Sequence, residues 1–174
     1  MTALLTELKT RARILRNAKR KDAGAGTRAD APDSGEDLRL RDCLSRVARD
    51  AGFTHWDHAR RVLGGLASTA DDMGTFWHAP ACNSLLNGWF TDLAHARAAQ
   101  ATERGAFLLP YKRQFMVVGS DFIFELALDP VDPAWAAARY DLAGSYGSAA
   151  WFALAQQRLK APPRTFAPIS DRKL

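Results

Sequence analysis

Histidine and cysteine pairs are the first residues in this chain whose spacing suggests chemistry. His55 and His58 lie three residues apart, and His78 and Cys82 lie four apart. Both spacings can bring two metal ligands to one face of a helix. Pro80 separates the second pair, however, so these two residues need not share a helix. We therefore predict no metal site and no cofactor.

Cys82 is also the candidate nucleophile of the chain. It lies at a predicted helix N-terminus, where the helix dipole favours a thiolate, and His78 or His95 would be the base. The competing interpretation is a small core residue, because aromatic and apolar residues flank this cysteine in the sequence. We favour the core interpretation and predict no catalytic residue. An enzyme that uses Cys82 or a histidine-bound metal remains the alternative.

A mixed aromatic and basic segment, residues 108–115, follows on a predicted strand. Its basic pair and its tyrosine could line a concave rim for an anion or a polar ligand. The alternative is an edge strand, marked by its proline and protected by its basic pair. The candidate pocket residues are His78, Cys82, Tyr111, Lys112 and Arg113.

Positive charge is concentrated near the start of the chain. Residues 1–65 contain 14 Lys and Arg against 9 Asp and Glu, whereas residues 66–174 contain 10 of each. A phosphate polymer is the acidic partner that such a segment fits, although a basic helix face can also be simply solvated. The candidate nucleic-acid or anion-binding residues are Lys9, Arg11, Arg13, Arg16, Lys19, Arg20, Arg60 and Arg61.

Three predicted helices must position these cations. Apolar periodicity predicts helices over residues 2–21 and 37–51, and a third helix that begins near His55 behind a Thr54–Asp57 capping box. Ala48 and Gly52 have the spacing of a helix-turn-helix, in which glycine adopts the left-handed turn. His58 stands where that motif usually has an apolar residue, and we place it with Arg60 and Arg61 on the exposed side of the third helix.

The second part of the chain, residues 71–160, carries 14 of the 17 aromatic residues and should hold the main core. We predict a helix over residues 83–104, then a hairpin of two β-rich runs, 107–118 and 122–128, joined by Gly119-Ser120-Asp121. A short helix should begin at Pro133, and a last helix should cover residues 148–160.

The predicted fold class is α+β. A basic three-helix, helix-turn-helix-like module (1–65) with a mobile insert (22–37) precedes a small helix, β-hairpin and helix domain (71–160) and a tail (161–174). No apolar run is long enough to span a membrane, and two cysteines make no disulfide framework, so we expect a cytoplasmic protein. The sequence leaves the oligomeric state open.

Two segments carry a resemblance to a known domain. Residues 8–16 read L-K-T-R-A-R-I-L-R, and residues 47–56 read V-A-R-D-A-G-F-T-H-W. They resemble the small bacterial helical domain labelled glyoxalase-related, with its L-K-x-x-A-x-x-L-R helix and its V-A-x-x-x-G-F-x-x-W motif. The resemblance covers residues 4–63 apart from the insert and implies a helical fold. The label comes from fusions to glyoxalase-like domains, so it transfers no catalytic residue. The second part is only loosely similar to uncharacterised bacterial proteins.

Charge segregation without a complete catalytic motif favours a non-enzymatic binding protein. In this hypothesis the basic module docks on nucleic acid or on a partner protein. The alternatives are the small enzyme described above and a regulatory subunit whose aromatic surface binds another protein.

Overall fold

The computed structural model describes residues 2–25, 39–68 and 70–166, and the side chains of residues 22–25 are not described. Most of the predicted insert, residues 26–37, therefore lies outside the described residues. In the described parts of the chain the α-helices are α1 (Ala3–Ala25), α2 (Leu40–Asp50), α3 (Trp56–Leu63), α4 (Leu93–Thr102), α5 (Ser120–Glu125), α6 (Pro133–Ala137) and α7 (Ala149–Lys160). The strands are β1 (Gly88–Phe90), β2 (Phe107–Tyr111) and β3 (Gln114–Val118), and 3₁₀ turns cover Pro80–Ser84 and Pro163–Thr165. The predicted α+β class is confirmed.

The first three helices pack against one another. Helix α1 buries Leu4, Leu8 and Ala12 on one face, and α2 buries Cys43 and Val47 against the same core. These residues recur every three or four positions, so one stripe of each helix is removed from water. Helix α1 continues four residues beyond its predicted end.

The turn between α2 and α3 depends on Gly52. This glycine has φ +92°, and its carbonyl accepts a hydrogen bond from the Thr75 amide at 2.8 Å. A Cβ atom here would lie 2.9 Å from the Phe76 amide nitrogen, so only glycine fits the approach. The predicted capping box is wrong: the α3 cap is His55, whose Nδ1 accepts from the His58 amide at 3.2 Å.

The predicted long helix over residues 83–104 is wrong. The chain instead makes a 3₁₀ turn, the strand β1 and the shorter helix α4. The sequence Asn87-Gly88 interrupts the helical pattern, and Asp92 starts a new helix by accepting from the His95 amide at 2.9 Å. Leu86 is fully exposed and Trp89 is 46% exposed.

The predicted hairpin is wrong in the position of its turn and in its second strand. All three strands are antiparallel in the order β1-β3-β2, and the tight turn is Lys112-Arg113, because Tyr111 pairs with Gln114. The first predicted run therefore contains both strands of the hairpin. The second run begins within helix α5, whose buried residues Phe122 and Ile123 are adjacent, while Phe124 is 63% exposed. A strand would have placed residues 122 and 124 on the same face.

The short helix at Pro133 and the last helix are confirmed, with Asp132 and Ser148 as their caps. The main core is continuous from the first module into the second part, since one cluster joins Leu8 and Leu63 to Trp151 and Phe166. The predicted tail thus begins inside this core, and residues 167–174 lie outside the described residues. Among the described helices none has both the length and the apolar character of a membrane span.

Candidate nucleic-acid interface

Four cations of α1 form a row along one side of the helix. Lys9, Arg13, Arg16 and Arg20 are spaced by four, three and four residues, which keeps them within a sector of roughly 60°. Arg13 and Arg20 are exposed, and the other two are half-buried. We call these four residues the basic row. It spans about 16 Å along the helix axis.

The basic row extends past the packed part of its helix. Ala12 is the last buried residue of α1 among those whose side chains are described, and the helix runs on to Ala25. From residue 13 to residue 21, about 14 Å of helix therefore has no fully buried side chain. Lys19 follows the buried residues at helical spacing and is half-buried, whereas Lys21 is exposed. The far end of α1 is therefore a charged surface.

Arg11 does not belong to this surface. Its Nε donates to Glu7 Oε1 at 2.8 Å, and a terminal nitrogen donates to the Leu159 carbonyl at 2.6 Å. The first contact lies within α1, and the second fixes the guanidinium against α7. Arg11, predicted to bind an anion, thus makes a packing contact between α1 and α7.

Arg61 also has a hydrogen-bond partner within the chain. Its guanidinium donates two hydrogen bonds to Asp71 Oδ2, at 3.1 and 2.7 Å. Two hydrogen bonds lower the pKa of Asp71. The larger effect comes from the Ser68 amide and the smaller one from the Arg61 side chain. Arg60 lies 3.3 Å from Asp57 and is 58% exposed, so this contact is a surface ion pair open to solvent.

His58 is not on the exposed side of α3, which corrects the prediction. Its ring packs edge-on against Phe53, with the centroids 5.3 Å apart. Nδ1 accepts from the Thr54 amide at 3.2 Å, so Nε2 carries the proton and donates to the Asp72 carbonyl at 2.7 Å. His58 therefore fills the apolar position of the motif as a packed and hydrogen-bonded side chain.

A groove lies where α1 meets α3. Leu5 and Lys9 line it from α1, Trp56 and Arg60 line it from α3, and Leu66 also contributes to the lining; its volume is about 510 Å³. Trp56 is half-buried and packs on the core. Trp56 and Arg60 are four residues apart, which places both on one face of α3.

The residues of the candidate ligand pocket are divided between the interior and the surface. His78 is 7% exposed, and Cys82 is fully buried with Sγ 4.0 Å from the Phe122 carbonyl oxygen. Lys112 and Arg113 form the exposed hairpin turn. Tyr111 connects the two sets, since its ring centroid lies 5.3 Å from that of His78.

Arg158 is a buried charged residue that is not among the candidates predicted from the sequence. Its guanidinium is fully buried and donates to the carbonyls of Phe76, His78, Leu126 and Thr165 and to the Thr165 hydroxyl. Burial lowers the pKa of Arg158 to about 9, so it stays charged at neutral pH. One signal was present: Trp151, Leu154 and Arg158 share one face of α7.

Burial also shifts the pKa values of His78 and Cys82, two residues close to Arg158. Desolvation, with a smaller contribution from the charge of Arg158, lowers the pKa of His78. Desolvation raises the pKa of the Cys82 thiol. A buried neutral thiol is a poor nucleophile, so these residues have the properties of packed core. Among the residues that the structure describes, no three His, Cys, Asp or Glu side chains are grouped as metal ligands would be.

Comparison with known proteins adds no relative: no protein-family model, no curated protein and no solved structure matches this chain.

Proposed function

We propose that the chain binds nucleic acid through the basic row of α1, with Arg60 at its edge. One observation carries the proposal: four cations share one side of a helix that extends past its own buried stripe. Arg11 donates to the Leu159 carbonyl and Arg61 donates two hydrogen bonds to Asp71, so we assign these two guanidinium groups to contacts within the chain and leave them out of the proposed interface.

Nucleic acid suits this surface better than an acidic protein does. Three of the four residues of the basic row are arginines, whose planar guanidinium can donate two parallel hydrogen bonds to one phosphate. A continuous line of phosphates can meet successive turns of one helix, and each contact releases counterions.

Binding through this surface should be independent of sequence. A helix-turn-helix reads bases through exposed side chains of its second helix. In α3, His58 is packed against Phe53 and Arg61 is held by Asp71. These contacts leave Arg60 as a phosphate contact and no extended set of base-reading side chains among the described residues of α3.

The test is fluorescence anisotropy of the full chain with a labelled 20-nucleotide oligomer over a series of salt concentrations. Affinity should fall steeply with salt. The variant Arg13→Gln/Arg16→Gln/Arg20→Gln should bind at least tenfold more weakly, and its salt slope should be smaller by about 2 to 3.

The matched control is Arg104→Gln/Arg113→Gln/Arg164→Gln. It removes the same number of charges from exposed positions in the second part of the chain. If both triple variants lose affinity equally, net charge rather than the basic row explains binding, and the proposal fails. It also fails if the wild-type chain does not bind.

A further inference from the structure

The groove between α1 and α3 combines an aromatic ring with two cations. Trp56 and Arg60 belong to one face of α3, and Lys9 projects from α1 on the opposite wall. Leu5 and Leu66 supply apolar surface, and Leu66 is 67% exposed. A volume of about 510 Å³ is enough for one nucleotide unit.

The charge of the groove selects an anion. None of the described residues that line it is acidic. Helix α3 itself carries one acidic residue, Asp57. Its carboxylate lies 3.3 Å from Arg60, and its side chain is 72% exposed. An aromatic ring and two cations in one groove fit a ligand with a flat apolar part and negative charge beside it, which is the composition of a nucleotide.

The groove also adjoins the basic row, because Lys9 is a member of both. A nucleic-acid strand with one base in the groove would place the next phosphates along its backbone beside α1. Only an unpaired base presents its face to a side chain, since a duplex keeps its bases stacked on one another.

From these three observations we infer that Trp56 stacks on a base of single-stranded nucleic acid, while Lys9 and Arg60 contact the adjoining phosphates. The inference rests on the proposed function and narrows it to single strands. Base stacking on an aromatic side chain depends little on sequence, in agreement with the absence of a base-reading surface on α3.

The test compares two ligands with the same number of phosphates: a twelve-residue oligothymidylate and its abasic analogue, which has the sugar-phosphate chain alone. The wild-type chain should bind the oligothymidylate roughly tenfold more tightly. Trp56→Leu should lose this preference while keeping the affinity for the abasic chain, which also shows that the variant is folded. Trp56→Phe should retain most of the preference.

Trp89→Leu is the matched control, since Trp89 is 46% exposed and lies on β1 in the second part of the chain. Its preference for oligothymidylate should equal that of the wild type. Equal wild-type affinity for the two oligomers would overturn the stacking inference and leave the proposed function standing. Failure of both oligomers to bind would overturn the two together. A preference that survives in Trp56→Leu would also overturn the inference.

Discussion

The guanidinium carbon of Arg158 lies 3.8 Å from the centroid of the Phe166 ring. The guanidinium thus stacks on an aromatic face while its nitrogens donate to neutral oxygens of three separate segments, near residues 76–78, 126 and 165. A planar group with five donors suits this role, because each segment supplies carbonyls that would otherwise lack partners.

We therefore expect Arg158→Met to lower the free energy of unfolding by at least ~3 kcal/mol, because several buried carbonyls lose their donor. Arg158→Lys should restore only part of the loss, since an ammonium cannot reach all three segments. Urea denaturation followed by circular dichroism measures both. Arg164→Gln, at an exposed position nearby, is the control and should change stability little. Wild-type stability in Arg158→Met would show that the hydrogen bonds contribute nothing net.

Gly52→Ala should destabilise the chain far more than Gly105→Ala. Both glycines have positive φ, +92° and +77°, so both substitutions carry backbone strain of about 1 kcal/mol. A Cβ at Gly52 would meet Thr75 Oγ1 at 2.7 Å, whereas a Cβ at Gly105 would have nothing within 4 Å. Thermal denaturation of the two variants isolates the cost of the close contact. Equal melting temperatures would contradict the packing of this turn on Thr75.

The stability of the chain should fall as the pH decreases from 7 towards 5. Burial, followed by the charge of Arg158, lowers the pKa of His78 from its ordinary value of 6.5. Below pH 6.5 the unfolded chain therefore takes up a proton at His78 that the folded chain does not, and unfolding becomes easier. The slope contributed by one such group is at most about 1.4 kcal/mol per pH unit.

Urea denaturation at several pH values measures this dependence, and His78→Phe should reduce it. Phenylalanine can keep the ring contacts that His78 makes with Tyr111 and Phe122. If the slope between pH 7 and 5 is the same in His78→Phe and in the wild type, another group is responsible for it.

Cys82 should react slowly with a thiol reagent at neutral pH, in keeping with a fully buried side chain whose pKa is raised by desolvation. Urea should accelerate labelling strongly, and mass spectrometry of peptides distinguishes Cys82 from Cys43. Rapid labelling of Cys82 in the native chain would instead support the alternative of an enzyme with a nucleophilic cysteine.

Local signals in the sequence were sufficient to predict five helices, namely α1, α2, α3, α6 and α7. The apolar stripes of α1 and α2, the left-handed turn at Gly52, and the starts at Pro133 and Ser148 depend on residues within one or two turns of each other. Short apolar runs were ambiguous. The segment from Phe122 is helical, and the segment around Trp89 is a strand, because pairing with β3 decides the latter.

The sequence by itself determined where positive charge is concentrated and which helix carries most of it. Tertiary structure alone decided which cations donate to partners elsewhere in the chain. Arg11 is removed from the candidate interface by the Leu159 carbonyl, 148 residues away, and Arg61 by Asp71. The physical reason is that a hydrogen-bond partner is defined by distance in space, and the periodicity of a helix does not encode which residue outside that helix will lie within reach.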